Sequence, residues 1–220
     1  MTTRYRINYS KLEGMRYTSN LDIHKMWERT FRRAKLPLKY SQGFHPQPKI
    51  QQANPLPLGF LSKNEMVDFY LDEDVEMEII LSNLSKSLPA GIELNSLEKI
   101  DNNEPTLQKL TQASEYLVSI LDNLDIDEVK NKIKEILKTD TIIRIRRGKS
   151  YDLRPLILDL EFEDKEQGII HMVLSAKDGA TGRPDEVLKE LEIPLENTRI
   201  IREKTILEEI SSQVSDSHEK

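Results

Sequence analysis

The sequence contains no cysteine. That excludes disulfides, thiolate zinc sites, a catalytic thiol and any iron–sulfur cluster held by the chain's own thiolates. No apolar run approaches the roughly 20 residues that a helix needs to cross a bilayer. The opening MTTRYRINYSKLEG has neither the apolar core nor the small-residue cleavage site of a secretory signal. The expected location is the cytoplasm, with no membrane partner. Histidine is scarce and scattered: His24, His45, His171 and His218 sit at no metal-ligand spacing. A glycine-rich phosphate fingerprint is also missing, so neither a metal nor an organic cofactor is expected.

Acidic residues are few at the start of the chain. Residues 1–53 hold only Glu13, Asp22 and Glu28 against eleven Lys and Arg, a net of +8. The whole chain carries −6, which leaves −14 for the remainder. A basic lobe on an acidic body favours a polyanionic partner, because attraction follows the local field and not the net charge. The alternative is that the two lobes neutralise each other within the fold. With 37% hydrophobic and 32% charged residues over 220 positions, the chain reads as globular with a polar surface.

Periodicity supplies the architecture. RYRINYSKL alternates Tyr5, Ile7 and Tyr9 against Arg4, Arg6 and Asn8, the period of a half-buried strand. MRYTS extends it after a turn at Glu13-Gly14. Ser19 to Asp22 reads as a capping box for a helix with Ile23, Met26, Trp27, Thr30, Phe31 and Ala34 on one stripe, stopped by Pro37. Strands are expected at 49–53, 66–72 and 92–100, and a helix at 76–88. Residues 101–114 read as a polar linker. Beyond it come strands at 116–122, 141–147, 156–163, 168–176 and 198–207, and helices at 126–138 and 185–191. The expected fold class is α+β: two tandem ferredoxin-like units, residues 1–100 and 115–210, with antiparallel sheets and one extra strand in the second. A disordered tail is expected at 211–220.

Several stretches carry chemistry. Arg29, Arg32 and Arg33 suit contact with a phosphate backbone, or simply keep a surface helix soluble. Opposite Arg4 and Arg6 on the outer sheet face lie Asp68, Tyr70 and Asp72, whose charges are expected to pair locally. YSQGFHPQPKI, Tyr40–Ile50, combines a glycine suited to positive φ at Gly43 with two prolines and the polar groups of Tyr40, Gln42, His45 and Lys49. It reads as a rigid recognition loop, or as an acid–base site using His45 with Lys49 or Tyr40. Spacing points to no second catalytic group, so no catalytic residue is assigned. RIRRGKSYDLRP adds Arg144, Arg146, Arg147, Lys149 and Arg154, either as a second part of one groove or as positive charge guarding an edge strand. GATGRP places Arg183 before a helix, a weak anion-site signal.

Six stretches taken together resemble the radical-SAM-linked family of bacterial domains of unknown function. They are RYTSNLD at Arg16–Asp22, RRAKLPL at Arg32–Leu38, YSQGFHP at Tyr40–Pro46, PLPLG at Pro55–Gly59, DLRP at Asp152–Pro155 and RPDEVL at Arg183–Leu188. Members of that family occur alone or fused behind a radical-SAM enzyme. The resemblance implies a stand-alone accessory protein with a separate radical-SAM protein as partner, and an association with RNA metabolism. It brings no catalytic residues with it. The expected function is an accessory binding module, more an adaptor than an enzyme, that contacts RNA, ribonucleoprotein or a phosphate-bearing substrate. The alternatives are an RNA-processing or RNA-modifying enzyme using His45, and a scaffold that meets only protein.

Overall fold

The computed structural model describes residues 2–122, 124–146, 148–163 and 168–209. Arg147 and the expected tail at 211–220 lie outside the described residues.

The first half runs β1 (Thr3–Lys11), α1 (Asn20–Arg33), β2 (Ile50–Gln52), β3 (Leu61–Leu71), α2 (Met77–Ser85) and β4 (Ile92–Ile100). The second half runs α3 (Leu107–Leu110), β5 (Thr111–Ile120), α4 (Ile126–Lys138), β6 (Ile143–Arg146), β7 (Lys149–Asp152), β8 (Ile157–Glu163), β9 (Ile169–Lys177), β10 (Ala180–Thr181), α5 (Pro184–Glu190) and β11 (Thr198–Leu207). Local rules account for most of these bounds. Ser19 Oγ accepts from the Asp22 amide at 3.2 Å and caps α1, and Asp125 Oδ1 accepts from the Asp127 and Glu128 amides to cap α4. Past the end of α1, Lys35 adopts φ 55° and turns the chain toward Pro37.

The molecule is a mixed α+β fold built on a large, mostly antiparallel sheet. Nine strands join in it, along the path β10-β9-β5-β11-β3-β1-β4, with β2 beside β3 and β8 beside β9. Two separate sheets were expected, and one continuous sheet is found. The join is β11, which runs antiparallel along the length of β5 and parallel to β3 for just two rungs, Ile201 to Leu61 and Arg202 to Ser62. Sequence parity within either strand is blind to such a join, because an edge strand and a paired one alternate alike.

Three other expectations change. Residues 15–19 do not continue β1; Glu13–Met15 form a single helical turn leading to α1. The polar stretch read as a linker ends early, because Leu107 and Leu110 are buried and β5 begins at Thr111. The extra strand proves to be a detached ribbon of β6 and β7 that pairs with nothing else in the sheet.

One face of the sheet carries two hydrophobic cores. Under α1 and α2 the core is aromatic: Tyr5 stacks near Phe69, Phe69 near Phe31 at 4.5 Å, Phe31 near Trp27, and Trp27 edge-on to Tyr9. The core under α4 and α5 is mostly aliphatic, with Val118, Ile133, Leu160, Met172 and Leu188 among its members. Leu56 and Phe60, from the loop between β2 and β3, belong to this second core. The first half therefore plugs its own loop into the second.

Candidate functional site

The expected local pairing on the outer face of β1 holds, but the face is not open. Arg4 and Arg6 both close on Asp68, which is fully buried: Arg4 Nε and Arg6 Nε each donate to it at 2.8 Å. Residues after β4 fold over them, and Arg4 donates its remaining hydrogen bonds to the carbonyls of Glu104 and Pro105. Two cations of the basic lobe are thus consumed in the fold. Lys11 is a third, buried with Nζ donating to the carbonyls of Arg16 and Thr18. Burial holds its pKa below the ordinary lysine value, although Glu65 opposes the shift.

What remains exposed lies along α1 and the loop after it. Lys25, Arg29, Arg32, Arg33 and Lys49 are all exposed. Arg32 approaches Glu28 at 4.0 Å, and Arg33 donates to the Ser87 carbonyl at 2.8 Å. The Tyr40–Ile50 stretch folds into a small hairpin: Tyr40 bridges to Pro48, the Ser41 amide donates to the Gln47 carbonyl, and Gly43 takes φ 131° at the tip. Phe44 is fully exposed there, between Gln42 and His45, which are exposed too. Lys49 Nζ sits 5.8 Å from the centre of the Tyr70 ring. Among the described residues His45 has no hydrogen-bond or ion-pair partner, so the acid–base reading with Lys49 or Tyr40 has no geometry behind it. No three His, Asp or Glu side chains among the described residues gather as a metal site.

The second basic stretch divides differently. Arg144 pairs with Glu186 and Glu190 of α5. Arg154 donates to the carbonyls of Ile157 and Leu137, which ties the turn before β8 to α4. Arg183 grips Asp185 through Nε and Nη2 at 2.8 and 3.0 Å. Burial works against the Arg183 charge, and Asp185 outweighs it, so its pKa rises. Arg146, at the end of β6, and Lys149, at the start of β7, are exposed with no ion pair among the described residues.

Between the two halves runs a polar seam that the sequence reading missed. Arg202 is fully buried on β11; its Nη1 donates to Glu65 Oε1 at 2.8 Å and to the Asn54 carbonyl at 3.0 Å, and its Nη2 donates to the Tyr116 hydroxyl at 3.1 Å. The pattern held the clue. Glu65 shares parity with the buried Val67, Phe69 and Leu71, Arg202 with Ile200, and Lys11 with Tyr9. A charge on the inward parity of a strand signals a buried ion network, because it has no route to water. Tyr9 lies beside Glu65 in register, and its phenol is pushed well up by burial and then by the Glu65 charge.

Cavities flank the 53–60 loop on both sides. One, of about 290 Å³, is lined mainly by Arg16, Tyr17, Leu58, Phe60 and Leu195. On the other side a cavity of about 230 Å³ lies between Asn54-Pro55, Tyr116, Arg146 and Arg183. It shares Arg146 and Thr181 with a neighbour of about 350 Å³ that contains Tyr151 and Leu156. Gly182 lies between Leu156 and Leu174, where a Cβ would meet the Leu156 carbonyl oxygen at 2.9 Å, so only glycine fits. Four stretches far apart in sequence, Arg16–Asp22, Pro55–Gly59, Asp152–Pro155 and Arg183–Leu188, all reach these cavities.

Two solved structures align along most of the chain. An unknown protein from Galdieria sulphuraria is 14% identical with a TM-score of 0.29, covering 96% of this chain and 99% of its own. A putative Dyp-type peroxidase from Shewanella oneidensis is 12% identical with a TM-score of 0.24, covering 86% of this chain and 82% of its own. Likeness at that level carries no argument about fold or activity. No curated protein matches. The family model for an uncharacterized protein conserved in bacteria (DUF2344) matches residues 4–184, and the chain belongs to that family.

Proposed function

We propose that this protein is an RNA-binding accessory module whose contact surface is the exposed basic face of α1 together with the hairpin of residues 40–49. The observation that carries the reading is Phe44. Its ring stands wholly in solvent at the tip of a proline-stiffened loop, with His45 and Lys49 following it and Arg29, Arg32 and Arg33 on the helix before it. An exposed ring beside cations is the combination that stacks on an unpaired base while holding the phosphates on either side. Gln42 and Tyr40 add hydrogen-bonding groups to the same hairpin.

The two halves are read as ferredoxin-like units fused edge to edge. The strand orders β2-β3-β1-β4 and β8-β9-β5-β11, each with its two helices, support that reading. The resemblance of the six motifs supports a separate radical-SAM protein as the partner to which the bound RNA is presented, in the cytoplasm. Binding of a structured RNA with unpaired loops tests the proposal. Affinity should fall steeply with salt, and Phe44→Ala should weaken it at constant salt. A flat salt response, or no binding at low salt, overturns it.

A second reading, a scaffold that meets only protein, is favoured by the exposed apolar side chains of Tyr17, Leu58 and Leu195 around the 290 Å³ cavity. Capture of a radical-SAM protein that survives nuclease treatment, with no RNA retained, selects it.

A further inference from the structure

We propose that the seam beside the 53–60 loop is a binding site for a small phosphate monoester of mononucleotide size, independent of the RNA surface on α1. The argument starts with the Tyr116 hydroxyl, which is almost wholly buried. Arg202 Nη2 donates to it, and a guanidinium has no acceptor with which to return the bond. The hydroxyl proton must therefore point away from Arg202. No described residue accepts it, yet Tyr116 lines the 230 Å³ cavity. A buried donor without an acceptor is unusual in a folded protein, and an acceptor placed in that cavity completes it.

The rest of the lining says which acceptor. Arg146 reaches the cavity with no carboxylate partner among the described residues, and Arg183 spends Nε and Nη2 on Asp185, with no partner described for Nη1. Among the described residues, no acidic side chain lines the cavity. Two guanidinium groups and a tyrosine hydroxyl lining one small volume offer more donors than a carboxylate's two oxygens accept, and they suit a doubly charged phosphate. The adjoining 350 Å³ cavity shares Arg146 and presents Tyr151, Leu156 and Ala180. Tyr151 is half-buried, and burial raises its pKa, so its ring offers a flat, uncharged wall. With the phosphate held at Arg146 and Tyr116, a ring attached to it extends along that wall. The two spaces together reach the size of ordinary small-molecule sites, roughly 300–1,000 Å³.

The test is calorimetric titration of the full chain with adenosine 5′-monophosphate and, separately, with inorganic phosphate. The nucleotide should bind more tightly than phosphate. Arg146→Gln should weaken both by about tenfold or more, the factor expected from losing one charge-assisted hydrogen bond. Tyr116→Phe keeps the ring and removes the hydroxyl, the acceptor for Arg202 included, and should weaken both at unchanged circular dichroism. Tyr151→Ala should weaken the nucleotide and leave phosphate unaltered. Arg29→Gln, on the other surface, should change neither. Absence of binding for both probes at about 1 mM overturns the proposal. So does an Arg146→Gln variant with wild-type affinity, or an Arg29→Gln variant that loses it.

Discussion

Two sets of arginines divide this molecule. Arg4, Arg6 and Arg202 lie inside it, each closed on a carboxylate, and Arg4 and Arg202 on backbone carbonyls as well. Arg29, Arg32 and Arg146 stand at the surface with at most one distant carboxylate. In the sequence the two sets are indistinguishable as counts of charge. The difference shows that a basic stretch is informative about partners only after the fold has taken its share. From the +8 of residues 1–53, the fold removes Arg4, Arg6 and Lys11 from the surface and anchors Arg33 to a carbonyl. The cations left over lie together along α1 and its following hairpin.

The sharpest way to break the comparison is to remove the anion on which the buried set depends. Asp68→Asn should cost about 3–5 kcal/mol in urea unfolding, because it leaves two guanidiniums buried without a counter-charge. Arg202→Met should cost a similar amount, and adding Glu65→Leu should recover most of it, since the penalty lies in the unpaired partner. If Asp68→Asn behaves like a surface change, the division between the two sets fails.

Alkaline unfolding sharpens the comparison at the seam. Tyr9 has its pKa raised above 10.0 in the fold, so the unfolded chain releases that proton first. The stability it represents is complete below pH 10 and is lost as pH rises above it, by about 1.4 kcal/mol per pH unit for one proton. Tyr9→Phe should remove that component of the slope. Lys11 acts in the opposite sense: its folded value lies below 10.5, so stability rises with pH until that point. Lys11→Met should abolish the rise.

A smaller effect concerns the helix that carries the exposed set. Ser19→Ala removes the cap of α1 and should cost about 1 kcal/mol, measured by thermal melting. The smallest effect on stability belongs to the exposed arginines themselves. Arg29→Gln with Arg32→Gln should leave unfolding within about 0.5 kcal/mol of wild type. The same pair should reduce the salt slope of RNA binding by about one for each phosphate that the protein no longer neutralises. A large loss of stability there would place these side chains with the buried set.

Most elements were legible because their signals are local. The α1 stripe, the Ser19 and Asp125 caps and the alternation of Tyr5, Ile7 and Tyr9 each need only a few neighbouring residues. The joined sheet was not legible, since Arg202 meets Ser62 and Glu65 across some 140 positions of chain, and no period in either strand encodes the meeting. The start of β3 was missed for a related reason. Ser62, Lys63, Asn64 and Glu65 look like a loop, yet Ser62 and Glu65 pair with β1, Ser62 pairs with β11 and Asn64 bonds Thr205 of β11. Of the candidate residues, Arg29, Arg32, His45 and Arg146 stand exposed. Arg144, Arg154 and Arg183 are held by α5, by carbonyls and by Asp185. Their partners are a local carboxylate for Arg183, carboxylates far along the chain for Arg144 and backbone atoms for Arg154, and neither distant nor backbone acceptors leave a trace in a sequence.

The position of β11 has a consequence for synthesis. It is the last strand described along the chain, yet it lies in the middle of the sheet, between β5 and β3. A nascent chain emerging residue by residue can assemble β1, β3 and β4 early. The side of β3 that faces β11 at Leu61 and Ser62 then waits for its partner until residues 198–207 arrive. Closure of the sheet thus waits on residues 198–207, and stalling ribosomes before residue 198 should leave an edge that a chaperone, or another copy of the chain, is free to occupy.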